Sequence, residues 1–389
     1  MGSTDTLEII NNIKNFDEID FLSMELTRGK TPEDIKERCL QLCQDYIAGD
    51  WIRQTVDTIE VIRITGGLTN QLYKCSIIEP IGSTTDPSVV AIRLYGSKYY
   101  NKDICDGSER LSDIIIAMMM SVKKLGPELL GVFTGGDITA FYKHRQFKLE
   151  EQKNDKLVEE LFRKIAQIHA MNVPLKKKHW LLNEIDTISR HVLNCTPYRQ
   201  LICEHNCETL KTYDIKDEIR WLNQTVQQCG SPMTFTHNDL LSANVMVLED
   251  NNNDNSGDQL LICDYEYASY SYRGLDLSSI IGEWGRLWND FKTAHNFVDD
   301  STIKQLLNYY IDENIKIFGK EYTENANNSM DQLIKEVKVF ALVYKMFMTL
   351  IFFKGDDNKD KVETKPTLLV KLAECEYKNY FRLKKQFGF

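Results

Sequence analysis

The chain has 389 residues, 42% of them hydrophobic, with a formal net charge of −10 and a pI near 5.4. That length supports a large core divided between two lobes. The acidic balance, with no basic stripe, argues against a nucleic-acid partner, and no apolar run reaches the ~18 residues of a membrane span.

The first fifty residues read as helical. Thr31-Pro32-Glu33-Asp34 is a helix start, with a capping hydroxyl, a proline suited to the first turn and acids that favour it. Ile35, Cys39, Leu40 and Cys43 then share one apolar face. The opening Met-Gly-Ser-Thr-Asp-Thr fits the bare myristoylation pattern, without a basic cluster to support an anchor. The period changes over 58–95. Ile59–Ile64 alternates, and Leu72–Ile78 and Val89–Leu94 are further strands, so this stretch is expected to form a small antiparallel sheet. Ser108–Lys124 follows as a helix, its Met118–Met120 run read as core filler. Leu129–Phe133 and Ile138–Tyr142 complete the strands, around a Gly135-Gly136 turn. Beyond Lys148 the chain turns helical, at 157–168, 182–191, 215–226, 275–291, 303–318, 330–353 and 367–386, interrupted only by strands within 233–267. A strand-rich first third before a helical remainder predicts an α+β, bilobal, protein-kinase-like fold. Its β-rich N-lobe would span 1–142 and its helical C-lobe 143–389.

Ten Cys are scattered without a Cys-x-x-Cys pair, which predicts free thiols in a reducing cytoplasm and no zinc site. Cys203 and Cys207 have the spacing of one helical face, and the His205 between them is read as structural.

The chemistry concentrates in 236–267. Thr236-His237-Asn238-Asp239 precedes Asn244, and the spacing from Asp239 to Asn244 is that of a catalytic Asp and a magnesium-binding Asn. Val245–Leu248 and Leu260–Cys263 flank a polar stretch, a hairpin whose return strand delivers Asp264 beside Asn244. One carboxylate facing an acceptor hydroxyl, with a carboxylate and an amide holding Mg²⁺, is what phosphoryl transfer requires. His237 is expected to brace the loop rather than act as a base. For ATP, Gly66 and Gly67 let backbone N–H groups approach phosphates, with Thr69 and Asn70 adding donors. Arg93, on a strand among apolar residues, offers a bidentate phosphate cation, with Glu109 or Asp113 as its acid.

Thr65–Asn70, Ile92–Gly96, Leu125-Gly126-Pro127, His237-Asn238-Asp239…Asn244 and Asp264–Tyr270…Asp276…Glu283-Trp284 together resemble the choline/ethanolamine kinase family over roughly 55–385. The resemblance implies ATP, Mg²⁺ and phosphorylation of a small amino alcohol at its hydroxyl, in a cytosolic enzyme of phospholipid synthesis that commonly forms a homodimer. Carried over, Asp239 is the base, Asn244 and Asp264 the metal ligands and Arg93 the phosphate cation. Tyr267, Glu283 and Tyr380 would surround the ammonium, with Trp288 replacing a wall that the family builds from two late tryptophans and this chain fills with Met348 and Ile351. These assignments predict a choline kinase, with ethanolamine kinase as the alternative and a non-catalytic kinase-like binding protein as a third reading.

Overall fold

The computed structural model describes residues 29–65, 69–79, 86–96, 109–193, 196–249, 257–286, 296–354 and 366–389. Gly66, Gly67, Trp288 and the N-terminal Met-Gly lie outside them.

The first half of the fold is one antiparallel sheet. Its strands β1 (Ile59–Ile64), β2 (Gln71–Ile77), β3 (Val89–Leu94), β4 (Leu129–Phe133) and β5 (Gly136–Ala140) lie in the order β1-β2-β3-β5-β4. Alternation in β1–β3 sends Ile59, Tyr73, Cys75, Val90 and Ile92 into a core closed by Trp51 and by Cys39 and Cys43 of the helix Ile35–Tyr46. That helix starts three residues later than its cap signal at Thr31 implies. Asp34 stands at the N-cap without a side-chain bond, and the Thr31 hydroxyl accepts from Arg63 instead. The helix Glu109–Val122 buries Ile116 and Met120, while Met118 points to solvent, so the methionine run is only partly core.

The chain leaves this sheet after Ala140, and β6 (His144–Gln146) already pairs with β8 (Val245–Leu248), which pairs in turn with β9 (Leu260–Ile262). The expected hairpin is therefore the core of a three-stranded sheet. A second ribbon, β7 (Met233–Thr236) against β10 (Ser269–Tyr272), clamps the ends of the same segment. Helices surround it. Asn154 caps Asp155–His169 by accepting from the Lys156 and Leu157 amides, and Leu157, Leu161, Ile165 and Ile168 face inward. Met330–Lys354 and Pro366–Gln386 pack on each other, and the former also packs on Arg273–Gly282.

Two expectations change. The helix projected over 275–291 runs from Arg273 to Gly282 and breaks at Gly285, where φ is +77°. Cys203 and Cys207 do not share a helical face. Cys203 is exposed on Thr196–Glu204, whereas Cys207 is buried at the N-cap of the next helix, Glu208–Thr212.

Candidate active site

The segment between β7 and β8 carries the residues expected to form the catalytic loop, and buried hydrogen bonds fix its shape. Asp276, on the first turn of Arg273–Gly282, accepts from the backbone N–H of His237 at 2.7 Å and of Asn238 at 2.8 Å. The same carboxylate meets His169 Nε2 at 3.1 Å. Asn238 is held in the left-handed region, φ +65°. Its side chain accepts from the Thr236 hydroxyl and donates to the Tyr267 carbonyl and Ser269 Oγ, each at 2.9 Å. A strained backbone so over-determined is typical of functional loops. His237 braces as expected. Its Nε2–H donates to the Cys263 carbonyl at 2.9 Å, and Nδ1 accepts from the Asp239 amide at 3.3 Å. Burial lowers its pKa and keeps it neutral, which matches this donor–acceptor pattern.

The hairpin then joins the two expected metal ligands. The Asn244 carbonyl accepts from the Cys263 amide at 2.9 Å, which sets Asp264 beside Asn244. Asp264 has φ +65°, turning its carboxylate out of the strand line. The Asn244 amide nitrogen donates to the Asp239 carbonyl at 2.8 Å, so the side-chain oxygen is the atom of this amide that can ligate a metal. One carboxylate and one amide oxygen form a hard donor set suited to Mg²⁺, which takes few protein ligands and completes its shell with water and phosphates. No group of three or more His, Cys, Asp or Glu residues able to hold a metal gathers among the described residues. Asp239 has its pKa pushed up to about 7, first by burial and then by the charges of Asp264 and Glu283, with the Asn244 hydrogen bond opposing.

Asp264 also lines a cleft with about 580 Å³ of empty space, bounded by Asn70, Arg93, Tyr95, Asp137 and Glu266 among others. Arg93 reaches Asp264 Oδ1 at 3.4 Å and pairs in register with Asp137 across β3 and β5. Burial alone would lower its pKa, yet Asp137 and Asp264 raise it above the usual value, so the guanidinium stays charged. Of the two acids expected to hold it, Asp113 pairs with Arg110 at 2.8 Å. Asn70 acts as a tie as well as a donor, since it accepts from the Gly96 amide at 3.1 Å and donates to Glu266 at 3.2 Å. Thr69 is buried. Gly126 lies against the Ile262 carbonyl, where a Cβ would come within 3.1 Å; this close approach explains the glycine of Leu125-Gly126-Pro127.

The acceptor side departs most from expectation. Glu283 is buried, and its carboxylate accepts from the Ser242 amide at 2.7 Å. Burial pushes its pKa up to about 7 against that hydrogen bond. It lines a second cleft, of about 430 Å³ of empty space, with Arg286, Tyr344, Lys345 and Arg382. Tyr267 is buried against Trp180, ring centroids 6.3 Å apart. Tyr380 is 0% exposed, donates its hydroxyl to Glu218 at 2.7 Å and stacks on Tyr377, so both its ring and its hydroxyl are committed to protein partners. That corrects its assignment to the acceptor, because a fully enclosed ring offers no face. Trp284 packs between Phe147 and Phe162 as core.

Two residues escape sequence reasoning. Asp276 stands in the motif without a role, because a single carboxylate binding two successive amides leaves no sequence spacing to read. Tyr344 is raised in pKa by burial and then by Glu283 and Asp239, so it faces both carboxylates. Its signal is present in the chain, since it precedes Met348 and Ile351 by one and two helical turns on the same face.

Among the described residues no helix is long and apolar enough to cross a membrane. The choline/ethanolamine kinase family matches residues 61–382. A human choline/ethanolamine kinase is 30% identical over 328 residues, covering 82% of this chain and 79% of the relative. A choline kinase structure from Cryptosporidium parvum Iowa II superposes with TM-score 0.64 at 17% identity, over 90% of this chain and 96% of that one. A Plasmodium vivax ethanolamine kinase gives TM-score 0.63 at 18% identity, over 99% and 95%. The α+β, protein-kinase-like fold and the family match lead to one conclusion: this chain belongs to the choline/ethanolamine kinase family and is a small-molecule kinase.

Proposed function

We propose that the chain transfers the γ-phosphoryl group of Mg-ATP to the hydroxyl of a small amino alcohol. Asp239 takes the hydroxyl proton as the oxygen–phosphorus bond forms, the β–γ bridge breaks, and ADP leaves with the electron pair. Asn244 and Asp264 would hold the magnesium, whose role when bound is to neutralise charge on the phosphates. Arg93, which lines the nucleotide cleft with Asn70, would supply the phosphate cation, and Gly66, Gly67, Thr69 and Asn70 are proposed as the phosphate-binding turn. The observation that carries this reading is the hairpin bond between Cys263 N–H and the Asn244 carbonyl, which joins Asp264 to the Asp239–Asn244 loop. Phosphoryl transfer depends chiefly on positioning and electrostatics, which such a rigid frame supplies.

The acceptor's ammonium is assigned to Glu283. A preference for choline rests on aromatic faces from Tyr267, Trp288 and Tyr380. Tyr380 is enclosed, Tyr267 is packed on Trp180, and Trp288 lies outside the described residues. Among the described residues, Tyr344 and Phe297 are the aromatics that line the cleft with Glu283. A primary ammonium makes directed hydrogen bonds to a carboxylate, whereas a quaternary one relies on several ring faces. We therefore place ethanolamine ahead of choline. The test is ADP release by the purified chain with Mg-ATP and each amino alcohol in turn. A higher specificity constant for ethanolamine supports the order, a higher one for choline reverses it, and no release with either removes the amino alcohol assignment.

A further inference from the structure

Lys164, on the helix Asp155–His169, carries a buried charge outside both clefts. It is 1% exposed and lines neither of them. Its Nζ donates to the Lys124 carbonyl at 3.2 Å and to the Asp258 carboxylate at 3.0 Å, and Glu160, one turn earlier, stands 3.8 Å away. Glu160 is buried as well. Both its oxygens accept from the Gln259 amide, and Oε1 also accepts from the Leu260 amide at 2.8 Å. Arg163 grips Asp258 from the same helix. One stretch of helix thus binds the chain just past the helix Glu109–Val122 and the start of β9. Lys124 stands in the left-handed region, φ +55°, where a helix usually ends on glycine. A lysine is kept there by surrounding bonds, and the one from Lys164 is among them.

Both segments lead into the nucleotide cleft. Arg110 and Met120 of Glu109–Val122 line it, and so does the stretch Cys263–Glu266 that follows β9. The two are also tied directly, because the Leu125 carbonyl accepts from the Ile262 amide at 2.9 Å and from the Tyr265 hydroxyl at 3.2 Å. β9 runs from the Glu160 carboxylate to Cys263, whose amide meets the Asn244 carbonyl. A short strand paired along its length carries a shift at Leu260 on to Asp264. Stability alone does not call for charge at this place, since an apolar replacement of a buried ion pair is often as stable. What an ammonium and a carboxylate add is direction, because each holds its partners at hydrogen-bonding distance and angle.

Resting on the assignment of Asp264 to magnesium, we infer that Lys164, with Glu160, is a positioning residue for phosphoryl transfer: it fixes the arm that carries Asp264 against the end of the helix Glu109–Val122, and so sets how well the site holds a magnesium-bound nucleotide. It acts through Leu260 and Lys124, not by contact with substrate or metal.

Nucleotide binding with and without magnesium separates placement from charge. The quantity read is the gain in affinity for a fluorescent ADP analogue when Mg²⁺ is added to the purified chain. Lys164→Met removes a cation, and by charge alone that would make the metal worth more. Placement predicts the reverse: the gain should shrink about tenfold, the low end for groups that support metal ligands. Lost stability does not imitate this, because the folded fraction scales the signal and not the dissociation constant. Should Lys164→Met fail to fold, Lys164→Met combined with Asp258→Asn keeps the net charge, removes the carboxylate left unpaired, and should show the same loss. An undiminished gain in the variant that folds overturns the inference. Asp264→Ala tests the assignment beneath it and should abolish the gain. If Asp264→Ala keeps the gain, the magnesium assignment falls and takes this inference with it. If Asp264→Ala loses the gain while Lys164→Met keeps it, the inference alone falls.

Discussion

The proposed transfer centre draws Asp239, Asn244 and Asp264 from the single stretch 239–264, whereas the proposed acceptor cleft draws on 278–286, 296–297, 341–345 and 382–383. The first is a loop and a hairpin, held by the His237 and Asn238 N–H groups donating to the Asp276 carboxylate and by the Cys263 N–H donating to the Asn244 carbonyl. The second is lined by side chains from the end of Arg273–Gly282, from Met330–Lys354 and Pro366–Gln386 and from irregular chain at 283–286 and 296–297. A centre drawn from one segment, its loop anchored at the Asp276 carboxylate, depends on few distant positions. A pocket built from separate helices can be retuned one side chain at a time, which suits a part that selects the acceptor. Their shared boundary is Asp239, raised in pKa by Asp264 on one side and by Glu283 on the other.

The largest effect should come from the transfer centre. Asp239→Ala is expected to lower kcat by at least ~10²-fold while nucleotide affinity, read by binding of a fluorescent ADP analogue, stays near wild type. If kcat were nearly normal, the two regions would not meet at this residue. Arg93→Lys tests the nucleotide side. The lysine keeps the charge but loses the fork, so the apparent constant for ATP should rise about tenfold, the worth of one charge-assisted bond, with the acceptor constant unchanged. Identical ATP kinetics would place Arg93 outside phosphate contact.

Glu283 sharpens the contrast through pH. Its pKa is raised to about 7 by burial, so the folded chain binds this proton more tightly than the unfolded one. Stability must therefore fall as pH rises from the ordinary carboxylate range through about 7. Acceptor binding runs the other way, because only the ionised carboxylate attracts an ammonium. The specificity constant for the acceptor should rise through that window in wild type, and Glu283→Gln should flatten this limb and weaken the fall in stability. A limb that survives in the variant belongs to another group. The smallest effect is expected at Tyr380→Phe. Losing the bond to Glu218 should cost about 0.5–1.5 kcal/mol of stability by denaturant titration and change the acceptor constant less than about twofold. A large change in that constant would return Tyr380 to the pocket.

What can be read from the chain follows the same division. Strand alternation and helical stripes reveal the sheet and most helices, since burial at periods of two and 3.6 leaves a direct trace. The Asp239 to Asn244 spacing and the apolar arms around Asp264 are legible because the chemistry fixes distances along the chain. β6 is not, because His144–Gln146 is three exposed polar residues that pair only through their backbone. Tyr380 misleads for a related reason. Helical spacing gives the face a ring lies on, but its partner Glu218 comes from a distant helix that spacing cannot align. Arg286 and Arg382, on one cleft with Glu283, converge only in three dimensions.

The central claim is phosphoryl transfer to an amino alcohol hydroxyl by the Asp239 centre, and phosphorus NMR of the reaction tests it most directly. With Mg-ATP and ethanolamine or choline, wild type should convert the γ-phosphate signal into a new phosphomonoester signal alongside ADP, at least ~10²-fold faster than Asp239→Ala. Release of inorganic phosphate alone, or equal conversion by the variant, would contradict the account.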